Sequence, residues 1–246
     1  MMGLYRKNEV LFAVVWIVLY VVVCGNLRSL GDDSPAMTVG LAAICAGVAL
    51  FIWKNGLSKK YGLAGWADDS RRMLWFIPLW VVASGNLWGG IKPHYAMPGL
   101  LFAMVSMALV GFAEEVIFRG FLFKAMLGSG SERTAIVVSS VTFGMGHIVN
   151  MLNGQVAFET VMQVVYAIAV GFLFTLAFHY GGSLWPCIIA HSLIDVASVV
   201  SARGDLLAWI CLGVSLVVIV AYCAYLIQAG KPRAGYAGRA GTGSRP

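Results

Sequence analysis

The chain has 246 residues, of which 60% are hydrophobic and 11% are charged. This composition excludes an ordinary soluble domain, because so few charged residues leave little polar surface to face water, and lipid is the expected solvent. The formal net charge of +6 does not indicate nucleic-acid binding, because the basic residues cluster in alternate loops and not on one polar face.

Eight apolar segments have the roughly 17 to 25 residues that a helix needs to cross a bilayer. They are predicted at 9–26, 36–53, 73–90, 98–122, 135–151, 160–178, 184–201 and 206–228. Short polar segments separate them, and none of these is long enough for a second domain. The sequence therefore predicts an all-α polytopic membrane protein with about eight transmembrane helices in one domain, at residues 1–229.

The lysines and arginines of the predicted loops are distributed unevenly between the two sides of the membrane. Arg28, Lys92 and Arg203 fall on one side, and the remaining basic loop residues fall on the other. The positive-inside rule then places both termini in the cytoplasm, and we expect an integral protein of the cell membrane with lipid as a partner. Residues 230–246, rich in Gly, Ala and Arg, are predicted to be a disordered cytoplasmic tail.

The fourth span contains the first cluster of ionisable side chains. Such groups cost about 2.5 to 3.5 kcal/mol each inside a membrane helix, so they indicate a function or a buried partner. Glu115 and Arg119 are spaced i,i+4 and are predicted to form an ion pair on one helix face. Glu114 is turned about 100° away from that pair, which leaves it as the candidate reactive carboxylate.

The fifth and seventh spans each contain a histidine. In the fifth span, Phe143 and His147 share one helix face, and the glycines between them allow a neighbouring backbone to approach closely. In the seventh span, His191 and Asp195 share a face and can hydrogen-bond each other. The three spans together supply carboxylates, imidazoles and an arginine, which are groups suited to acid–base chemistry.

Each of these pairs has an ordinary structural explanation when it is taken alone, such as an anchor at a helix end or an interhelical hydrogen bond. Counting about 1.5 Å per residue, however, places Glu114, His147 and His191 roughly 10 to 20 Å from the cytoplasmic ends of their spans. Three polar pairs at a similar depth are a costly way to hold helices together, so a shared site is favoured. Glu159 and Gln163, at the outer end of the sixth span, are predicted to be solvated.

In chain order, the three segments contain the motifs E-E-x-x-x-R, F-x-x-x-H and H-x-x-x-D on three separate spans. This ordered set resembles the CAAX-processing and bacteriocin-processing enzymes, the CPBP or Abi family. These are intramembrane glutamic endopeptidases and include the type II CAAX prenyl endopeptidases. The resemblance covers about residues 97–200, which it implies to be the catalytic core.

The resemblance implies that Glu114 is the general base that activates water and that His147 assists it. Glu115 and Arg119 are implied to be a supporting pair, and we predict the same supporting role for Phe143 beside His147. The expected activity is hydrolysis of a peptide bond near the cytoplasmic leaflet. The expected substrate is a peptide or protein, and membrane-associated or prenylated substrates are both open.

The resemblance further implies that His191 and the residue at position 195 stabilise the oxyanion. The best-known members have Asn there, so Asp195 is a departure from the pattern. An ionised carboxylate repels an oxyanion, and only the protonated form can donate a hydrogen bond. The alternative is that Asp195 fixes the tautomer of His191.

General-base attack by water needs no metal and no cofactor, and none is predicted. Glutamate and histidine are also zinc ligands, so a metal-dependent variant stays open, although the sequence has no H-E-x-x-H motif. Serine catalysis is disfavoured because the chain has no G-x-S-x-G motif. The rival hypothesis is a non-proteolytic membrane protein, either a proton-coupled transporter or an inactive immunity factor.

Overall fold

A computed structural model of the chain describes residues 1–67, 69–152, 154–202 and 204–230. Within these ranges the regular structure is helical, apart from an isolated β-bridge between Ile91 and Ser201. Six helices are long and apolar enough to cross a membrane, and two further apolar helices are shorter. The prediction of an all-α polytopic membrane protein is therefore confirmed. The predicted tail lies outside the described residues from position 231 onward.

The α-helices, in chain order, are α1 (Met2–Lys7), α2 (Glu9–Arg28), α3 (Pro35–Lys54), α4 (Ile77–Ser84), α5 (Gly99–Glu114), α6 (Lys124–Ser129), α7 (Glu132–Met145), α8 (Val149–Leu152), α9 (Ala157–Gly181), α10 (Trp185–Ser198) and α11 (Asp205–Ala229). Polar caps begin several of them. The side chains of Asn8, Ser34 and Ser131 accept hydrogen bonds from backbone N–H groups in the first turns of α2, α3 and α7. Capping therefore explains why these apolar helices begin where they do.

The third and seventh predicted spans are too long. The structure has apolar helices only at Leu74–Leu87 and Trp185–Ser198 in these places, and each is about 21 Å long at 1.5 Å per residue. The apolar sequence continues beyond both helix ends into turns, which lead to the bridge between Ile91 and Ser201. There the N–H of Lys92 donates to the carbonyl of Val200 at 2.8 Å. Hydropathy alone cannot separate such apolar loop residues from a helix.

The fourth span is longer than predicted. Helix α5, a π-helical segment at Glu115–Phe123 and helix α6 form one continuous apolar helix of 31 residues, Gly99–Ser129. In the π-helical segment each backbone hydrogen bond spans five residues instead of four. Glu114 lies near the middle of the whole helix, about 20 Å from either end. Glu114 therefore lies deeper in the membrane than the predicted span 98–122 implies.

Two glycines allow motif-bearing helices to approach their neighbours closely. A Cβ atom on Gly111 of α5 would lie 2.6 Å from the backbone nitrogen of Ser192 in α10. A Cβ atom on Gly144 of α7 would lie 2.7 Å from the backbone nitrogen of Ile168 in α9. Larger side chains at these positions would separate the helices, so the glycines help bring the three motifs to one site.

Candidate active site

Glu115 and Arg119 form a buried ion pair next to the other predicted site residues. The side chains of Glu115 and Arg119 are both 0% exposed, and one terminal nitrogen of Arg119 donates to Oε1 of Glu115 at 2.8 Å. Among the described residues, no acceptor meets Nε or the second terminal nitrogen of Arg119. The guanidinium instead lies 4.0 Å from the ring centre of Phe143, where the π-electrons attract a cation. The predicted pair thus forms, but in a π-helical segment.

His191 is almost completely buried and faces three carboxylates. Its Nδ1 lies 2.8 Å from Oε1 of Glu115. Its Nε2 lies 3.4 Å from Oδ2 of Asp195 and 3.6 Å from Oε2 of Glu114. A neutral imidazole can donate from only one nitrogen, whereas an imidazolium can donate from both. Glu115 lies close enough to Nδ1 to keep a proton on that nitrogen. Asp195 is therefore not needed to fix the tautomer of His191.

Tyr20 of α2 positions Glu114. The Tyr20 hydroxyl donates to Oε1 of Glu114 at 2.7 Å. The side chain of Glu114 is 13% exposed, and its second oxygen, Oε2, faces His191. One carboxylate oxygen is therefore held in place while the other faces the cavity. Tyr20 could not be identified from the sequence, because a tyrosine in an apolar span looks like any other buried aromatic residue.

A cavity of about 310 Å³, here called the main cavity, joins these groups. Its deep end is lined by Glu114, His147, His191 and Asp195, the four predicted catalytic residues. His147 lies in a 3-10 turn after α7, is half-buried, and meets Phe143 edge-on with ring centres 5.7 Å apart. The ion-paired Glu115 and Arg119 do not line the cavity. They instead contact two residues that do line it, because Glu115 meets His191 and Arg119 meets Phe143.

The outer end of the main cavity is formed by Arg28, Asn150 and Gln163, which the sequence analysis did not assign to the site. Gln163 is half-buried and accepts a hydrogen bond from Asn150 at 2.9 Å, so the prediction that it is solvated is wrong. Glu159, one helical turn away, is exposed as predicted. Each of the three is polar and lies near the end of an apolar span, where polar residues are common, so nothing in the sequence marks them as site residues.

The residue types at the deep end of the main cavity are also metal ligands. In the part of the chain that the structure describes, no group of three or more His, Cys, Asp or Glu side chains is arranged to hold a metal ion. Glu115 is already paired with Arg119, and both nitrogens of His191 face carboxylates. These residues provide no preformed three-ligand site.

A family model described as "Type II CAAX prenyl endopeptidase Rce1-like" matches residues 96–197. This segment is an Rce1-like domain. The family predicted from the three motifs is confirmed. No curated protein and no solved structure matches the chain.

The Rce1-like domain runs from the loop before α5 almost to the end of α10 and covers less than half of the chain. It contains all seven residues predicted for the site. The family implies a membrane protease of the CAAX-protease type that acts on a peptide or protein. Tyr20 and Arg28 lie outside the Rce1-like domain, on α2, so the main cavity is completed by a helix that the family match does not include.

Proposed function

We propose that the protein is an intramembrane endopeptidase in which Glu114 activates water for attack on a peptide carbonyl. The observation that carries the proposal is the meeting of Glu114, His147, His191 and Asp195 in one cavity. These residues come from three different parts of the chain. Apolar surroundings strengthen electrostatic interactions at the reacting atoms, which is an advantage for acid–base catalysis.

The first step is attack by water. The 3.6 Å between Oε2 of Glu114 and Nε2 of His191 exceeds a direct hydrogen bond, and a single water molecule can bridge such a gap. Glu114 takes a proton from this water while the oxygen forms a bond to the carbonyl carbon. His147, lining the same cavity, orients the water. Because Tyr20 holds Oε1, the proton goes to Oε2.

The second step is collapse of the tetrahedral intermediate. His191 in its imidazolium form donates Nδ1–H to Glu115 and offers Nε2–H to the oxyanion. Asp195, in its protonated form, offers a second hydrogen bond from the same side. The C–N bond then breaks, and Glu114 returns its proton to the leaving amine. No covalent intermediate with the enzyme forms.

The orientation that we propose keeps both termini in the cytoplasm and the protein in the cell membrane. Arg28 is in the last turn of α2 and therefore lies at the non-cytoplasmic end of that helix. The outer end of the main cavity then faces away from the cytoplasm. With this orientation, substrate enters from the non-cytoplasmic half of the membrane, and not at the cytoplasmic leaflet as the sequence analysis expected.

The test of the proposed function is cleavage of a fluorogenic peptide library by the purified full-length protein in liposomes. Glu114→Gln should lower kcat by about 10²- to 10⁴-fold, because it removes the general base. Glu159→Gln is the matched control, since Glu159 is exposed and lies outside the main cavity, and it should cleave as the wild type does. Equal cleavage by Glu114→Gln and the wild type would reject the mechanism.

Two further arms of this experiment separate the alternatives. Incubation with a chelator should leave activity unchanged, whereas inhibition that added zinc reverses would assign the metal-dependent type. Proton flux under a pH gradient, measured in the same liposomes, tests the transporter hypothesis. Flux that depends on Glu114, without any cleavage product, would replace the endopeptidase proposal.

A further inference from the structure

Four segments of the chain meet around Tyr5, at the end of the helix bundle that is cytoplasmic in the proposed orientation. Tyr5 is buried, and its ring centre lies 5.3 Å from that of Phe12 in α2 and 5.5 Å from that of Phe51 in α3. Its hydroxyl accepts a hydrogen bond from Nζ of Lys60, in the segment after α3, at 2.8 Å. Tyr5 therefore fixes the end of α1 against α2, α3 and the segment after α3.

Three exposed basic residues, here called the basic corner, lie around this contact: Arg6, Lys7 and Lys54. Arg6 and Lys7 follow Tyr5 directly and end α1. Lys54 ends α3, and it follows Phe51 by three residues, or about one helical turn. Because Tyr5 contacts Phe51, the two helix ends that carry these cations are held side by side.

The charge of the basic corner is not neutralised by the described part of the protein. Both carboxylate oxygens of Glu9, at the start of α2, accept hydrogen bonds from Lys60 at 2.6 Å, so this carboxylate already has a cation. In the ranges that the structure describes, no ion pair joins a carboxylate to Arg6, Lys7 or Lys54. Neighbouring positive charges repel one another and attract anions, so the basic corner is suited to an anionic ligand.

An exposed tryptophan indicates which kind of anion fits. Trp53 precedes Lys54 in the last turn of α3 and is 72% exposed. Tryptophan beside a cation at a helix end is typical of the level at which phospholipid headgroups lie. A soluble acidic peptide would also attract the cations, but it would leave this indole in water. An anionic phospholipid fits both features, because its phosphate meets the cations while the membrane interface accommodates the indole.

The basic corner adjoins the helix that completes the main cavity. Helix α2 begins at residue 9, two residues after α1 ends. Phe12, near this start, packs on Phe121 of the π-helical segment with ring centres 5.1 Å apart. Tyr20, which donates to Glu114, lies eleven residues after the start of α2, or about 16 Å along the helix. A ligand that holds the start of α2 therefore also holds Tyr20 at Glu114.

We propose that the basic corner binds the phosphate of an anionic phospholipid in the cytoplasmic leaflet, and that the bound lipid holds α2 where Tyr20 contacts Glu114. Each cation near an anionic membrane surface strengthens binding about fivefold, so the three cations together form a site of measurable affinity. The lipid site is independent of the proposed function, and its effect on cleavage rests on that function.

Native mass spectrometry of the full-length protein in detergent tests the lipid site. Titration should give a dissociation constant about tenfold or more lower for phosphatidylglycerol than for phosphatidylcholine. Arg6→Gln combined with Lys54→Gln should raise the constant for phosphatidylglycerol about tenfold or more. Arg71→Gln combined with Arg133→Gln removes the same charge from other exposed positions on the cytoplasmic side and should change it less than about twofold. Equal constants for the two lipids, or equal effects of the two double variants, would overturn the lipid site.

A soluble competitor separates a lipid from a protein partner. In the same titration, a peptide of glutamate residues should not displace phosphatidylglycerol when it is added at an equal concentration. Displacement of half the lipid or more would overturn the lipid assignment and make the basic corner a site for an acidic protein.

Cleavage in liposomes tests the link to α2. Adding phosphatidylglycerol to phosphatidylcholine liposomes should raise kcat of the wild type about threefold or more and leave KM nearly unchanged, because Tyr20 acts on the general base and not on substrate binding. This activation should be absent from Arg6→Gln combined with Lys54→Gln and retained in Arg71→Gln combined with Arg133→Gln. It should also be absent from Tyr20→Phe, because the contact that the lipid maintains is then missing.

Two outcomes in liposomes would overturn the link between the lipid and α2. These are equal activation of Tyr20→Phe and the wild type, and cleavage by the wild type that phosphatidylglycerol does not change. Native mass spectrometry requires no cleavage, so a lipid site in a protein that cleaves no peptide would support the site and reject the proposed function.

Discussion

The two ends of the main cavity are held by different kinds of interaction. At the deep end, the supporting Glu115–Arg119 pair is 0% exposed and lies against an aromatic ring. At the outer end, the Arg28 and Asp32 side chains are 36% and 28% exposed. A buried charge depends strongly on its partner, because water cannot replace that partner, whereas a partly solvated charge depends on it weakly. The deep end is suited to fixed catalytic geometry, and the outer end to recognising an incoming group.

The largest expected effect is on stability at the deep end. Arg119→Met should lower the free energy of unfolding by about 3–5 kcal/mol, because it breaks a fully buried ion pair and leaves Glu115 with His191 alone as its partner. Arg28→Gln removes a partly solvated charge and should cost about 1 kcal/mol or less. Both values can be measured from denaturant unfolding in mixed micelles. Equal losses at the two positions would contradict the comparison between the ends.

A double variant sharpens that test. Glu115→Gln combined with Arg119→Met removes both buried charges and should recover part of the stability that Arg119→Met alone loses. Its activity should stay low, because His191 then lacks the carboxylate at Nδ1. A double variant less stable than Arg119→Met would show that packing, and not an unpaired charge, dominates at this site.

The next effect is on catalysis and concerns Tyr20. Tyr20→Phe removes the hydroxyl that holds Oε1 of Glu114 and should lower kcat by about 10- to 100-fold, the range for a hydrogen bond to a charged group. KM should change little, because the phenyl ring keeps its packing. Tyr222→Phe is the matched control, since it removes a buried hydroxyl that donates to the carbonyl of Met73, and neither residue lines the main cavity. Equal loss of activity in both variants would indicate a general effect on folding.

The sequence predicted the deep end of the site far better than the outer end. Ionisable residues in an apolar helix are costly and therefore conspicuous, which is why Glu114, His147 and His191 could be selected from spacing and resemblance. Tyr20 gave no such signal, because a phenol is tolerated in an apolar span. Arg28 gave none either, because basic residues are expected at helix ends. Whether the deep-end residues perform the proposed steps stays a prediction.

The same contrast applies to the helices. Hydropathy located all eight apolar helices, because the cost of exposing backbone and charge to lipid governs where such helices occur. It misplaced the ends at 73–90 and 184–201, since apolar loop residues are indistinguishable from helical ones by composition. The π-helical segment Glu115–Phe123 was also missed. A change from four-residue to five-residue hydrogen bonding depends on tertiary packing and leaves no periodic pattern over nine residues.

The smallest expected effect concerns the charge partner of Arg28. Asp32→Asn keeps an acceptor oxygen for Nε of Arg28 but removes the negative charge beside it. It should lower the free energy of unfolding by about 0.2–1 kcal/mol, because a partly solvated pair contributes little. The effect should shrink as salt is added. Asp33→Asn removes a neighbouring charge that forms no ion pair with Arg28 among the described residues, and it should have a smaller effect. A loss from Asp32→Asn as large as that from Arg119→Met would contradict the comparison between the two ends.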